Sequence, residues 1–135
     1  MDLFSAWTRK PVLINFDKVK EAIRLPHDFI IINVLPTFEQ GCLIAGTTDA
    51  MKEESILNDM MSSLSVADKK IIVYGKHCND ENVSVKVQQL QILGIKDLFV
   101  YRGGLFEWML LQDIYGHSEF PTTSRMNDIL QFKPK

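Results

Sequence analysis

Apolar residues follow two rhythms along the chain. Three runs, "FIIINV" (29–34), "KIIVY" (70–74) and "DLFVY" (97–101), are nearly continuous and rich in β-branched and aromatic residues. That is the pattern of strands buried on both faces. "PVLI" (11–14) predicts a shorter strand, and "CLIAGT" (42–47) another that enters a loop at Gly46. Elsewhere the spacing is helical. Phe16, Val19 and Ile23 follow a capping Asn15 and precede Pro26, which stops the helix. Ile56, Leu57, Met60, Met61 and Leu64 form one stripe within 51–64. Val83, Val87 and Leu90 mark a further helix, with Gly94 placed to end it. Gly103-Gly104 predicts a turn into a last helix, "LFEWMLLQDIY" (105–115).

Strands and helices therefore alternate. The expected fold class is α/β, with a mostly parallel central sheet of about five strands flanked by helices on both faces. Sites in such sheets lie beyond the carboxyl ends of the strands. The loops after Val34, Tyr74 and Tyr101 become the places to search.

Composition narrows the function classes. A chain of 135 residues, 46% hydrophobic, suits a single domain with one core. Net charge is -2 and the basic residues form no block, so neither nucleic acid nor an anionic membrane is expected as a partner. No apolar run is long enough to cross a bilayer, and "MDLFSAWTRK" lacks the pattern of a signal peptide. A cytoplasmic location is the expectation. Cys42 and Cys78 are expected as free thiols. The scattered His27, His77 and His117 offer no metal-ligand spacing. Neither a metal nor a cofactor is expected.

The chemistry concentrates in "IIVYGKHCND" (71–80), a buried strand that delivers a cysteine-bearing loop to a helix. Its surroundings extend the pattern. "IINVLP" (31–36), "GCLIAGT" (41–47), "LGIKDLFVYRGGLFEW" (93–108) and "FPTT" (120–123) stand in order around it. Together these fragments resemble a rhodanese-like domain, over roughly residues 11 to 123, with 124–135 as a C-terminal extension. The Gly-Gly-x-x-x-Trp stretch ending at Trp108 is the most specific match. The resemblance implies a parallel sheet between helices and sulfur-transfer chemistry. In that family a cysteine directly after the central strand takes a sulfane sulfur as a persulfide, inside a loop whose N–H groups cradle an anion. A related phosphatase branch adds an arginine to the loop.

The chain departs from that pattern in its loop. Gly75, not cysteine, follows the strand, and the segment from Gly75 to Leu90 is about two residues longer than the family spacing. The one cysteine of the loop, Cys78, comes three residues later and is the candidate nucleophile, with Gly75, Lys76, His77, Asn79, Asp80 and Glu81 as its loop. No arginine follows; the cations are Lys76, before Cys78, and Lys86, well along the helix. Asp80 and Glu81 stand where the helix begins, so they are expected to cap it and to occupy the donors an anion would need. Asn33 and Leu35 take the places of a family aspartate and arginine, and Cys42 lies near a usual histidine.

Three functions compete. The first is a catalytically impaired rhodanese-like module, a pseudoenzyme that binds a partner or acts structurally. The second is a sulfurtransferase using Cys78 with a small sulfur donor. The third, weakened by the missing arginine fork, is a phosphatase. The 105–115 helix is apolar nearly all round, which suits either a packed helix or a surface for a protein partner or homodimer.

Overall fold

The computed structural model describes residues 10–62 and 69–135. Four strands and four α-helices alternate in it. They are β1 (Val12–Ile14), α1 (Phe16–Arg24), β2 (Phe29–Asn33), α2 (Ala50–Ser62), β3 (Lys70–Tyr74), α3 (Asn82–Ile92), β4 (Leu98–Tyr101) and α4 (Gly104–Tyr115). Every strand pairing is parallel and the order is β1-β4-β3-β2.

The two rhythms of the sequence become two cores. On one face of the sheet Phe29, Ile31, Ile72, Tyr74 and Tyr101 pack with α1, α4 and the C-terminal segment. On the other, Ile30, Ile32, Ile71, Val73 and Val100 pack with α2 and α3. Both faces are covered, which is why the strands read as unbroken apolar runs.

Local signals also hold. Asn15 Oδ1 accepts the Asp17 N–H at 2.9 Å and caps α1. Gly94, at φ 93°, lets α3 end in a paired motif: Ile95 N–H to the Leu90 carbonyl and Gly94 N–H to that of Gln91. Leu64 lies outside the described residues, as do the first nine.

The sheet has four strands, where about five were expected. "CLIAGT" forms no strand. It touches the sheet through a single parallel bridge, Ile31 to Thr47. Its remaining backbone groups are claimed elsewhere. Ala45 donates to the Pro121 carbonyl, the Leu43 carbonyl accepts from Thr123, and Ile44 N–H bonds to the Tyr74 hydroxyl. Gly46, at φ 85°, then turns the chain. A strand paired along β2 would need those same groups, which the C-terminal segment and the Tyr74 hydroxyl hold instead.

Candidate functional site

β3 and β4 end side by side, with Tyr74 opposite Tyr101 in the register. Each is buried and its phenol is pushed well above the ordinary range, chiefly by burial. Tyr74 bonds to Thr47 Oγ1 and Ile44 N–H; Tyr101 donates to Glu107 Oε2 at 2.5 Å. The two loops beyond these tyrosines carry the site.

The Gly103-Gly104 turn shapes the loop after β3. Gly104 has φ 69°, and a Cβ there would lie 2.7 Å from the Gly75 carbonyl oxygen and 2.9 Å from His77 N. Only glycine fits that approach. The first amides of α4 then bond across: Leu105 N–H to the Gly75 carbonyl at 2.9 Å and Phe106 N–H to that of Lys76 at 2.8 Å. Further along α4, buried Trp108 donates from Nε1 to the Pro121 carbonyl.

Inside the loop the central position belongs to Asp80. Its Oδ2 accepts the Lys76 N–H at 2.9 Å and its Oδ1 the Asn82 N–H at 3.1 Å. The carboxylate thus spans the loop and caps α3 at once. It also fills the space above Gly75. A Cβ at Gly75 would lie 2.5 Å from Asp80 Oδ2 and 2.9 Å from Asp80 Cβ. The site where a side chain would follow β3 is therefore occupied by an internal anion. Capping was expected of both acidic residues, but Glu81 is exposed and makes no side-chain capping bond. Its backbone geometry leaves Asp80 alone in reach of the helix donors.

The loop cations are paired away from the cradle. Lys76 forms an ion pair with Glu39, and Lys86 with Glu53 on α2. His77 accepts the Asn79 N–H on Nδ1. Cys78 is exposed and free, and Cys42 is buried with its thiol on the Ser124 carbonyl. At the end of β2, Asn33 Oδ1 accepts the Leu35 N–H, while its buried Nδ2 has no partner.

His77, Cys78 and Asp80 line one side of a cavity of about 470 Å³, whose other walls include α3, Leu13 and Val100. Lys10 and Arg102 also line it. The sequence reading indicated the loop after Tyr101 without singling out Arg102, its first residue. Its place just past a strand's carboxyl end was the available signal. No group of three or more His, Cys, Asp or Glu suited to a metal occurs among the described residues. No helix among them is long and apolar enough to cross a membrane.

α4 is apolar on both its inner and its outer side. Leu105, Trp108 and Met109 are buried, leaving Leu110, Ile114 and Tyr115 exposed.

The arrangement of a parallel sheet, a loop after its central strand and a Gly-Gly turn bracing that loop matches solved structures. The fold is rhodanese-like. Saccharomyces cerevisiae Ygr203w, a homolog of single-domain rhodanese and Cdc25 phosphatase catalytic domain, superposes with a TM-score of 0.60 at 16% identity, covering 87% of this chain and 90% of that one. A rhodanese-like domain from Anabaena sp gives 0.52 at 22% identity, covering 89% of each chain. A single-domain sulfurtransferase from Saccharomyces cerevisiae gives 0.53 at 16%, covering 80% of this chain and 96% of that one. No family model and no curated protein matches the sequence. Rhodanese-like folds thus carry both sulfur-transfer and phosphatase relatives, and the loop must decide between roles.

Proposed function

We propose that this chain is a rhodanese-like module with an impaired catalytic loop, acting by binding a partner. The observation that carries the reading is Asp80. Its carboxylate takes the Lys76 and Asn82 amides and fills the space beside Gly75. An anionic substrate would have to displace a tethered anion from those amides. It would meet no thiol directly after β3 and no unpaired lysine in the loop. A phosphatase role fits least, for want of a guanidinium within the loop. The two free cysteines accord with a cytoplasmic location.

One observation favours a second reading. Cys78 is exposed at the cavity that Arg102 and Lys10 also line. As a thiolate it would attack the sulfane sulfur of thiosulfate. The sulfur–sulfur bond would break, sulfite would leave with the electron pair, and Cys78 would carry a persulfide for transfer to cyanide. The test is incubation with thiosulfate and cyanide, with thiocyanate followed and intact mass measured. Wild type and Cys78→Ser are expected to be equally inert, with no mass gain of one sulfur. A persulfide on Cys78, with thiocyanate formation lost in the variant, would sink the impaired-module reading.

A further inference from the structure

The cavity beside Cys78 extends well beyond the loop. It runs between α3 and β1, over a floor that includes Leu13, Val83, Val87 and Val100. β1 is the terminal strand of the sheet, and its Val12 and Leu13 are 55% and 60% exposed. An apolar groove beside a sheet edge is a template for an added strand, since backbone groups supply affinity and alternate side chains enter the groove.

The groove carries two cations. Lys18, Lys20, Lys76 and Lys86 are each engaged by a glutamate. Lys10 and Arg102 line the groove and stand in no ion pair among the described residues. The carboxylate of Asp80, also in the lining, is already held by two amides. The β1–β4 register pairs Val12 with Phe99, and continued back by two residues it sets Lys10 level with Asp97. Arg102 then lies about five residues further along the strand direction, roughly 16 Å at strand rise. Two cations that far apart suit an extended chain better than a compact small molecule.

We propose that the groove between α3 and β1 docks an extended segment of a partner protein, in which aliphatic side chains stand between acidic residues about four positions apart, an even spacing that turns both acids to the groove. The aliphatic residues cover Leu13 and Val87, and the acidic ones meet Lys10 and Arg102. This rests on the binding-module reading and supplies the chemistry of its partner. With three residues in β1, backbone pairing is short and the affinity is weak.

The test uses the full chain and a fluorescent peptide pool, Glu-x-x-x-Glu with x drawn from Val, Ile, Leu and Thr. A Lys-x-x-x-Lys pool is the control. Saturable micromolar binding of the acidic pool is expected, weakened about tenfold by Arg102→Glu or Leu13→Glu through charge clash or a buried unpaired charge. Val85→Glu, on an exposed part of α3 outside the groove, leaves binding unchanged. Thermal melts confirm that the variants fold. No saturable binding, equal binding of the basic pool, or indifference to both groove variants overturns the assignment. The thiosulfate assay on the same sample keeps the two proposals apart. A persulfide removes the impaired-loop reading whatever the peptides do, and failed peptide binding without a persulfide removes only the groove.

Discussion

The ends of β3 and β4 start alike and diverge within two residues. Each strand finishes in a buried tyrosine on the same face, and the next chain segment turns into a helix. Beyond Tyr101 the Gly-Gly turn and Trp108 follow the family resemblance closely. Beyond Tyr74 the loop departs from it at the position of the nucleophile. The difference separates two kinds of constraint. The turn after β4 is fixed by packing, because Gly104 leaves no room for a side chain against the neighbouring backbone. The loop after β3 is braced by the α4 amides on its Gly75 and Lys76 carbonyls, but its own amides answer to its internal hydrogen bonds and to whatever it binds. Asp80 satisfies those bonds without a ligand.

That contrast can be broken from the packing side first. Trp108→Ala removes a fully buried ring and its bond to Pro121, and is expected to destabilise the protein by about 3–5 kcal/mol in denaturant unfolding. Gly104→Ala meets both a positive φ and backbone atoms under 3 Å away, for an expected loss of about 2–4 kcal/mol. If Gly104→Ala were as stable as wild type, the turn would not be what shapes the loop.

The loop side yields smaller but more informative effects. Gly75→Cys is expected to cost about 1–3 kcal/mol, because its Cβ collides with the Asp80 carboxylate. Adding Asp80→Gly should recover part of that loss, with a coupling of about 1 kcal/mol or more in a double-mutant cycle. Only the double variant is expected to gain a sulfur from thiosulfate at position 75, read by mass. Additive stabilities and no sulfur gain would contradict the view of Asp80 as an occupant of the cradle. Asp80→Ala alone loses a cap worth about 1 kcal/mol.

The paired tyrosines supply a pH test. Their phenols are raised in the folded state, so folded protein holds protons that the unfolded chain releases near pH 10. Stability from this source is complete below about pH 10 and falls as the pH rises above it. Tyrosinate absorbance from Tyr74 and Tyr101 is expected to appear together with unfolding. Early titration of either in folded protein would show that its ring is reached by water. The smallest effect is Cys78→Ser, within about 0.5 kcal/mol of wild type, as for an exposed side chain away from the core.

Particular residues show how far the sequence could be read. Asn15 and Gly94 performed the capping roles their positions predict, since caps depend on a few adjacent residues. "CLIAGT" failed as a strand because its backbone partners come from residues about eighty positions away, at 121–123. Asp80 was legible as a cap and as a competitor for amide donors. Its position over Gly75 was not, because that needs the loop to close from Lys76 back to Asp80. Arg102 and Lys10 meet at one groove only because β1 pairs with β4.

The sequence by itself determined the four strands and four helices that form, with "CLIAGT" as a surplus strand, the two-faced burial of the sheet and the absence of a thiol directly after β3. Those follow from residue type and short-range spacing. Only the tertiary structure decided that Asp80 fills the space beside Gly75, that Cys78 lines the cavity and which glutamates hold Lys76 and Lys86. Asp80 reaches its place by closure of the loop from Lys76, braced by α4, while the cavity and the ion pairs of Lys76 and Lys86 join groups far apart in the chain.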